Sequence, residues 1–338
     1  MTTMRAVDIK GGKGEIDDLF INANTPQPTP TTGQALVRIK AFGVNRMDIL
    51  QRRGLYPLPR QAPTTLGVEF SGVVEALGPG THEHNASTIS VGDEVFGLAY
   101  GGAYAELIAI DSRMLLHKPK SISWQQAAAV PEAWITATQA LHLILGFTPG
   151  RSILWHAGAS GVSIAGIQLS RLAGASAVYA TAGSDEKCTF LTSKLGADGA
   201  FNYKTSDWSE AVRKATDGRG VDYIVDFVGG DYLMKNLAVA ALDCRIVILG
   251  TLGGSRVPDA DIGPILRKRI RIEGSTLRSR DPDYQAMLRD RLEAYVPQFE
   301  AGRLRIFLDS VLPWEQIQDA HRHMEEAKNS GKIVCTIS

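Results

Sequence analysis

Cysteine is scarce in this chain. Only three stand among 338 residues, at 188, 244 and 335, too few and too far apart for a disulfide framework or the four-ligand cluster of a structural zinc. A surplus of either charge is also missing. Lys and Arg total 36, as do Asp and Glu, so no net basic field is offered to nucleic acid. No apolar run reaches membrane-spanning length, and Met1 to Lys10 lacks the basic and apolar regions of a signal peptide. Internal repeats and low-complexity tracts are absent. A cytoplasmic enzyme of two domains is expected, with neither membrane nor nucleic acid as partner.

What the chain does have is a glycine turn in an informative setting. The apolar strand Ile153-Leu154-Trp155 runs into His156-Ala157-Gly158-Ala159-Ser160-Gly161. Val162, Ala165, Gly166, Leu169, Leu172 and Ala173 then recur at helical spacing. Glycine at 158 and 161 lets backbone approach a ligand, and the N–H groups opening a helix suit a phosphate. Strand, glycine turn and helix in that order form the phosphate end of a dinucleotide site. The spacing departs from strict GxGxxG, with Ser163 where a further glycine is often found.

The pattern downstream predicts strands over 177–182, 199–203, 221–228 and 245–250, alternating with helices over 185–195, 209–215 and 232–242. That alternation indicates an α/β, Rossmann-type, doubly wound parallel sheet over 125–275. Residues 1–124 read differently. Val37, Ile39 and Ala41 alternate with Arg38 and Lys40, and turn signals are dense, as in Gly78-Pro79-Gly80 and Gly101-Gly102. A second, β-rich domain is expected there, completed by 276–338 with a helix over 314–328 and a strand over 333–337.

Histidines are the only remaining metal-ligand candidates. His82-Glu83-His84 lies in a polar stretch with no third ligand evident, and His321 and His323 point to different faces of a helix. Ile317, Ala320 and Met324 flank His321, which favours packing; His156 reads equally as a hydrogen-bonded core residue. His117 and His142 have no identifiable partners, so no metal is expected.

Several longer motifs carry a resemblance. Asn45-Arg46-Met47-Asp48 with Arg53-Gly54-Leu55-Tyr56, Leu66 to Gly72, Val91 to Val95 and Gly101 to Glu106 resemble the medium-chain dehydrogenase/reductase superfamily. Ala127 to Trp134, His156 to Val162, Phe201-Asn202-Tyr203, Leu277 to Asp281 and Asn329 to Val334 are similar to its zinc-free, zeta-crystallin-like quinone oxidoreductases, nearest the tumour-suppressor-inducible branch. The resemblance covers nearly the whole chain and implies a GroES-like catalytic domain beside the Rossmann domain, and a homodimer. Val68 stands where zinc-dependent relatives resemble Gly-His-Glu. Asn45 and Tyr56 are implied beside nicotinamide and substrate, as catalytic residues. Cofactor contacts are implied at Tyr56, Thr136, Gly158, Ser160, Gly161, Val162, Gly183, Ser184, Lys187, Tyr203, Gly250, Leu277 and Asn329.

Cofactor and acceptor follow from chemistry. An NAD site usually places a carboxylate about 20 residues past the first glycine. Here the second strand ends Thr181-Ala182-Gly183-Ser184, followed by Lys187, with Tyr203 ending the next strand. A hydroxyl, an ammonium and a phenol suit a 2′-phosphate, so NADPH is expected. Asp185 and Glu186 fall in the first turn of a helix, where acids are ordinary. Without zinc to stabilise an alkoxide, an intrinsically electrophilic acceptor is favoured. The expectation is an NADPH:quinone reductase. The alternatives are an enone or enoyl reductase, for which no His, Cys or Lys stands out as the acid, and a non-catalytic cofactor-binding protein.

Overall fold

The computed structural model describes residues 2–81 and 88–338. They divide into two compact units, Met1–Ile135 with Arg278–Ser338, and Thr136–Leu277.

The first unit opens with an antiparallel pair, β1 (Thr3–Ile9) on β2 (Leu19–Pro26). There follow β3 (Gln34–Val44), α1 (Arg46–Arg52), β4 (Glu69–Leu77), β5 (Glu94–Leu98), β6 (Leu107–Asp111), β7 (Leu115–His117) and α2 (Trp124–Ala128). The alternation read at 37–41 holds: Val37, Ile39 and Ala41 are buried while Arg38 and Lys40 are exposed. Val37 and Ile39 join Phe42, Phe70, Val95 and Leu115 in one apolar core, which removes from water the face that this period-two pattern creates.

α3 (Pro131–Thr138) carries the boundary and continues into a π-helical stretch, Gln139–Ile144. The first unit thus extends to Ile135 rather than to 124. The physical reason is local. Ala128 and Ala129 pack with Ala41 and Val334, and the Ser71 hydroxyl donates to the Trp124 carbonyl at 2.7 Å.

The second unit contains β8 (Ser152–Trp155), α4 (Gly161–Leu172), β9 (Ala177–Ala182), α5 (Asp185–Leu195), β10 (Gly199–Asn202), α6 (Trp208–Ala215), β11 (Val221–Asp226), α7 (Tyr232–Val239), β12 (Ala240–Ile248), α8 (Gly263–Lys268) and β13 (Arg271–Gly274). Six strands, in the order β10-β9-β8-β11-β12-β13, are all parallel. This is the Rossmann order, and it reverses direction at β8. β8 and β11 are buried along their whole length, as strands covered on both faces must be.

Two expectations need correction here. The helix expected over 232–242 stops at Val239, and Ala240 already pairs with Val221. The apolar run Ala238 to Leu242 suits helix and strand equally by periodicity, and the adjacent strand decides. The sixth strand, β13, was not expected at all; at four residues it carries too short a pattern.

The C-terminal segment adds α9 (Pro282–Glu293), α10 (Val296–Glu300), β14 (Leu308–Pro313), α11 (Ile317–Glu325) and β15 (Lys332–Thr336). The two strands complete the sheet of the first unit, ordered β14-β15-β3-β4-β5-β7 with β6 also on β3. The helix expected over 314–328 is shorter, a 3-10 turn at Trp314–Gln316 leading into α11. Among the described residues no helix is long and apolar enough to cross a membrane.

Candidate active site

In the Rossmann unit the expected cofactor residues gather at the C-terminal ends of the strands. Gly158, Ser160, Gly161 and Val162 follow β8, Gly183 and Ser184 follow β9, Tyr203 follows β10 and Gly250 follows β12. That edge, beside the strand where the order reverses, is where open α/β sheets bind ligands. Thr136 and Leu277 are both buried, at the two ends of this unit's chain segment.

The glycine turn is built differently from a strict fingerprint. Ser160 caps α4, its Oγ accepting from the Ser163 N–H at 3.3 Å. Ser163 is buried and donates its hydroxyl to the His156 carbonyl at 2.8 Å, so the missing glycine is replaced by a side chain that pins the turn. Close packing of helix on sheet comes instead at Gly166, where a Cβ would lie 2.2 Å from the Trp155 ring. Gly158 is also required by packing. A Cβ there would meet Leu191 at 2.8 Å and Ala180 at 2.9 Å, so its role reaches beyond admitting a ligand.

Beneath the turn, His156 is fully buried, as its core reading anticipated. Its Nε2 lies 2.7 Å from Asn236 Oδ1, and its Nδ1 lies 2.9 Å from Thr181 Oγ1. Asn236 donates its amide to Asp226 at 3.0 Å, which leaves Oδ1 as acceptor and makes Nε2 the protonated nitrogen. Burial depresses the imidazole pKa and keeps the ring neutral. Asp226 also accepts from the N–H groups of Val228 and Gly229. The network thereby ties the ends of β8, β9 and β11 into one rigid rim.

At the tip of β9 the geometry bears on the ribose. Ser184 caps α5 and accepts the Lys187 N–H at 3.3 Å. A Cβ on Gly183 would lie 2.7 Å from the Tyr203 hydroxyl, so these two positions adjoin. The Asp185 carboxylate accepts the Asn202 amide at 2.7 Å, which turns this acid toward β10. Glu186 is fully exposed, and a hydrogen bond from the Ser184 side chain holds its pKa below the ordinary value.

The GroES-like unit contributes a buried polar and charged cluster from four distant segments. Lys332 on β15 forms an ion pair with Glu69 on β4 and donates to Asn45 Oδ1 at 2.6 Å. Asn45 Nδ2 donates to Glu69 Oε1 at 2.9 Å, and the Glu132 N–H donates to Glu69 Oε2 at 2.8 Å. Glu69 is wholly buried, and Gly43 makes room for it, since a Cβ there would lie 2.2 Å from Oε1. Both polar ends of the Asn45 side chain are therefore engaged.

Tyr56 is half-buried, with the Arg278 guanidinium carbon 5.5 Å from its ring centroid. Arg278 donates Nε to the Tyr100 carbonyl at 2.6 Å and Nη1 to Gln51 Oε1 at 2.7 Å. Asp48 is fully buried and accepts from the N–H groups of Asn45 and Gly67 and from the Tyr104 hydroxyl. Burial outweighs those bonds and lifts its pKa to about 6. Glu132, in the first turn of α3, is raised to about 7, by burial first and by Glu69 second. Sequence reasoning gave Glu132 no role. The available signal was one carboxylate set in the apolar run Ala127 to Ile135. Asn329 lies in this unit, its amide donating to the Gly331 carbonyl at 2.9 Å.

Val68 is buried in the core, and the carboxylate beside it is neutralised by Lys332. Among the described residues no group of three His, Cys, Asp or Glu side chains is placed to hold a metal ion. His321 is packed, lying 3.1 Å from Arg52 Nη1 and 3.3 Å from the Tyr104 hydroxyl, and burial lowers its pKa to about 3. His323 meets Asp309 at 2.6 Å and His117 meets Asp93 at 3.1 Å. His82, Glu83 and His84 lie outside the described residues.

Comparison with known proteins adds two family matches, an alcohol dehydrogenase GroES-like domain over residues 31–120 and a zinc-binding dehydrogenase domain over 161–293. Quinone oxidoreductase-like protein 2 of Bos taurus is 32% identical over 94% of this chain and 89% of its own length. Among solved structures, an NAD-dependent alcohol dehydrogenase is 31% identical with a TM-score of 0.84, covering 99% of this chain and 100% of its own. Mycobacterial Rv1454c in complex with NADPH is 28% identical with a TM-score of 0.85, covering 99% and 100%. The CurK enoyl reductase is 28% identical with a TM-score of 0.85 and covers 100% of both chains.

Proposed function

The chain belongs to the medium-chain dehydrogenase/reductase superfamily, and from that premise we propose that it is a zinc-independent, NADPH-dependent reductase of quinones, of the zeta-crystallin type. The observation that carries the acceptor class is the closed cluster of Asn45, Glu69 and Lys332 beside buried Val68. A buried ammonium occupies the carboxylate next to the position where zinc-dependent chemistry requires a ligand. The acceptor must then take a hydride without a Lewis acid, as a quinone does.

The dinucleotide fits the Rossmann unit. The first turn of α4, with Gly161 and Val162 behind the Ser160 cap, presents N–H groups to the pyrophosphate. Gly183, Ser184, Lys187 and Tyr203 would hold a 2′-phosphate, while Asp185 is engaged by Asn202. Solved relatives include both an NAD-dependent and an NADPH-bound protein; this strand tip is what selects NADPH. When bound, the dinucleotide supplies the hydride. Tyr56, held against Arg278, would cover the acceptor, and Asn45, held by Glu69 and Lys332, would position it.

A second reading, reduction of an activated C=C bond, is favoured by one observation. Glu132 offers a proton near neutral pH, which protonation at carbon demands. NADPH consumption with a naphthoquinone, an enone and no acceptor separates the readings. Quinone-dependent oxidation that survives a chelator is expected. One equivalent of zinc per chain, lost together with activity, overturns the proposal. A homodimer is part of the same reading, and light scattering on the purified protein tests it.

A further inference from the structure

We propose that Asn202 sets the preference for NADPH over NADH, as a positioning residue that ties Asp185 down and leaves Lys204 and Tyr203 beside the tip of β9. The proposal rests on the NADPH reading above and deepens it, and every residue in it belongs to the Rossmann unit.

The strand tip presents a charge problem. α5 begins there behind the Ser184 cap, and the N–H groups of its first turn attract anions. Asp185 and Glu186 occupy that same turn, so the chain's own carboxylates compete with a nucleotide phosphate for it. Glu186 is fully exposed and bonded to the Ser184 side chain, and salt and water screen its charge. Asp185 is the acid that the fold engages directly.

Asn202 ends β10, where it pairs in register with Ala182 at the end of β9. It is buried, and its side chain is bonded at both ends. The Lys204 N–H donates to Oδ1 at 3.0 Å, which fixes the orientation of the amide. Nδ2 therefore faces Asp185 and donates to its Oδ1 at 2.7 Å, a short bond to a charged acceptor. The carboxylate is thereby held against β10.

The cation and the phenol that follow Asn202 lie at the tip itself. A Cβ on Gly183 would meet Lys204 Cε at 3.4 Å and the Tyr203 hydroxyl at 2.7 Å. A lysine stem and a phenol thus border the glycine, while the acid two residues on is bonded elsewhere. A 2′-phosphate is favoured by that arrangement. A ribose 2′-hydroxyl is favoured instead by an accepting carboxylate, which Asn202 has taken. Without Asn202, Asp185 is released to repel the phosphate and to accept from the ribose.

Titration calorimetry of the protein with NADPH and with NADH, at one ionic strength, reads the effect without turnover. Wild type is expected to bind NADPH the more tightly. Asn202→Leu keeps the volume and loses the amide; it should lower the NADPH-to-NADH affinity ratio about tenfold, as a like charge freed beside the phosphate demands. In an Asp185→Asn background the same substitution should lose most of its effect, because the charge it releases is gone. Asp185→Asn alone should move the ratio less than about threefold, since the acid is already engaged. That single variant tests the proposal even where Asn202→Leu fails to fold. An unchanged ratio in Asn202→Leu, a loss that persists in full without Asp185, or a tenfold rise in Asp185→Asn alone overturns the role of Asn202. A wild type that binds NADH more tightly than NADPH overturns the NADPH reading itself.

Discussion

The Rossmann unit buries mostly neutral polar groups, Ser152, His156, Ser163, Ser170, Thr181 and Asn236 among them, with Asp222 and Asp226 as its buried acids. The GroES-like unit buries Asp48, Arg52, Glu69, Arg278, Arg289 and Lys332. The contrast follows from how each unit is built. A parallel sheet covered on both faces leaves little room for charge, and backbone N–H groups at helix starts recognise phosphates without it. The other unit buries charged side chains, and burying charge demands partners. Precision comes from backbone packing in one unit and from paired charges in the other.

The sharpest way to break that contrast is to unpair the charged unit. Lys332→Met leaves Glu69 buried without its cation and is expected to cost about 3–5 kcal/mol of stability. Adding Glu69→Gln should return much of the loss, because the uncompensated charge is then gone. Denaturant unfolding checks both, and a single variant as stable as wild type would show that the ion pair is dispensable. Packing limits the other unit, so Gly166→Ala, which drives a methyl into the Trp155 ring, should cost about 1–3 kcal/mol. A neutral result in the same experiment would mean that helix α4 shifts freely on the sheet.

Ligand recognition by the Rossmann unit is tested at Lys187. Lys187→Ala should weaken NADPH by about one to two decades and leave NADH nearly unchanged, since only NADPH carries the 2′-phosphate. Both constants must be measured at one ionic strength. Equal loss for both nucleotides would reduce Lys187 to support of the fold. The smallest expected effect is a slope in pH. Asp48 and Glu132 have folded pKa values raised to about 6 and about 7, so their contributions to stability are fully present below pH ~4 and fade as pH rises through those values. Thermal melts between pH 4.5 and 7.5, a range taken to span both raised groups at about 6 and 7, should show Glu132→Gln losing part of that slope. An identical slope in wild type and variant would place the Glu132 titration elsewhere.

Legibility divided along the same line. Strand 177–182 and helix 185–195 were readable to the residue, because a period of two or of 3.6 is a local property and Ser184 and Gly196 mark the helix ends. The glycine turn was equally plain, although which glycine serves packing was not. Gly166 matters because Trp155 stands across from it, a pairing that no spacing rule reveals.

By itself the chain order of apolar and polar residues determined two domains, a parallel sheet around a dinucleotide turn and a strand tip free of carboxylate. Those features depend on neighbours a few residues apart. Only the tertiary structure brought Asn45, Glu69, Glu132 and Lys332 into one cluster, carried Asp185 away to Asn202 and left Glu132 holding a proton near neutral pH. Burial and charge pairing are sums over space, so a residue's ionisation is decided by segments that the sequence keeps far apart.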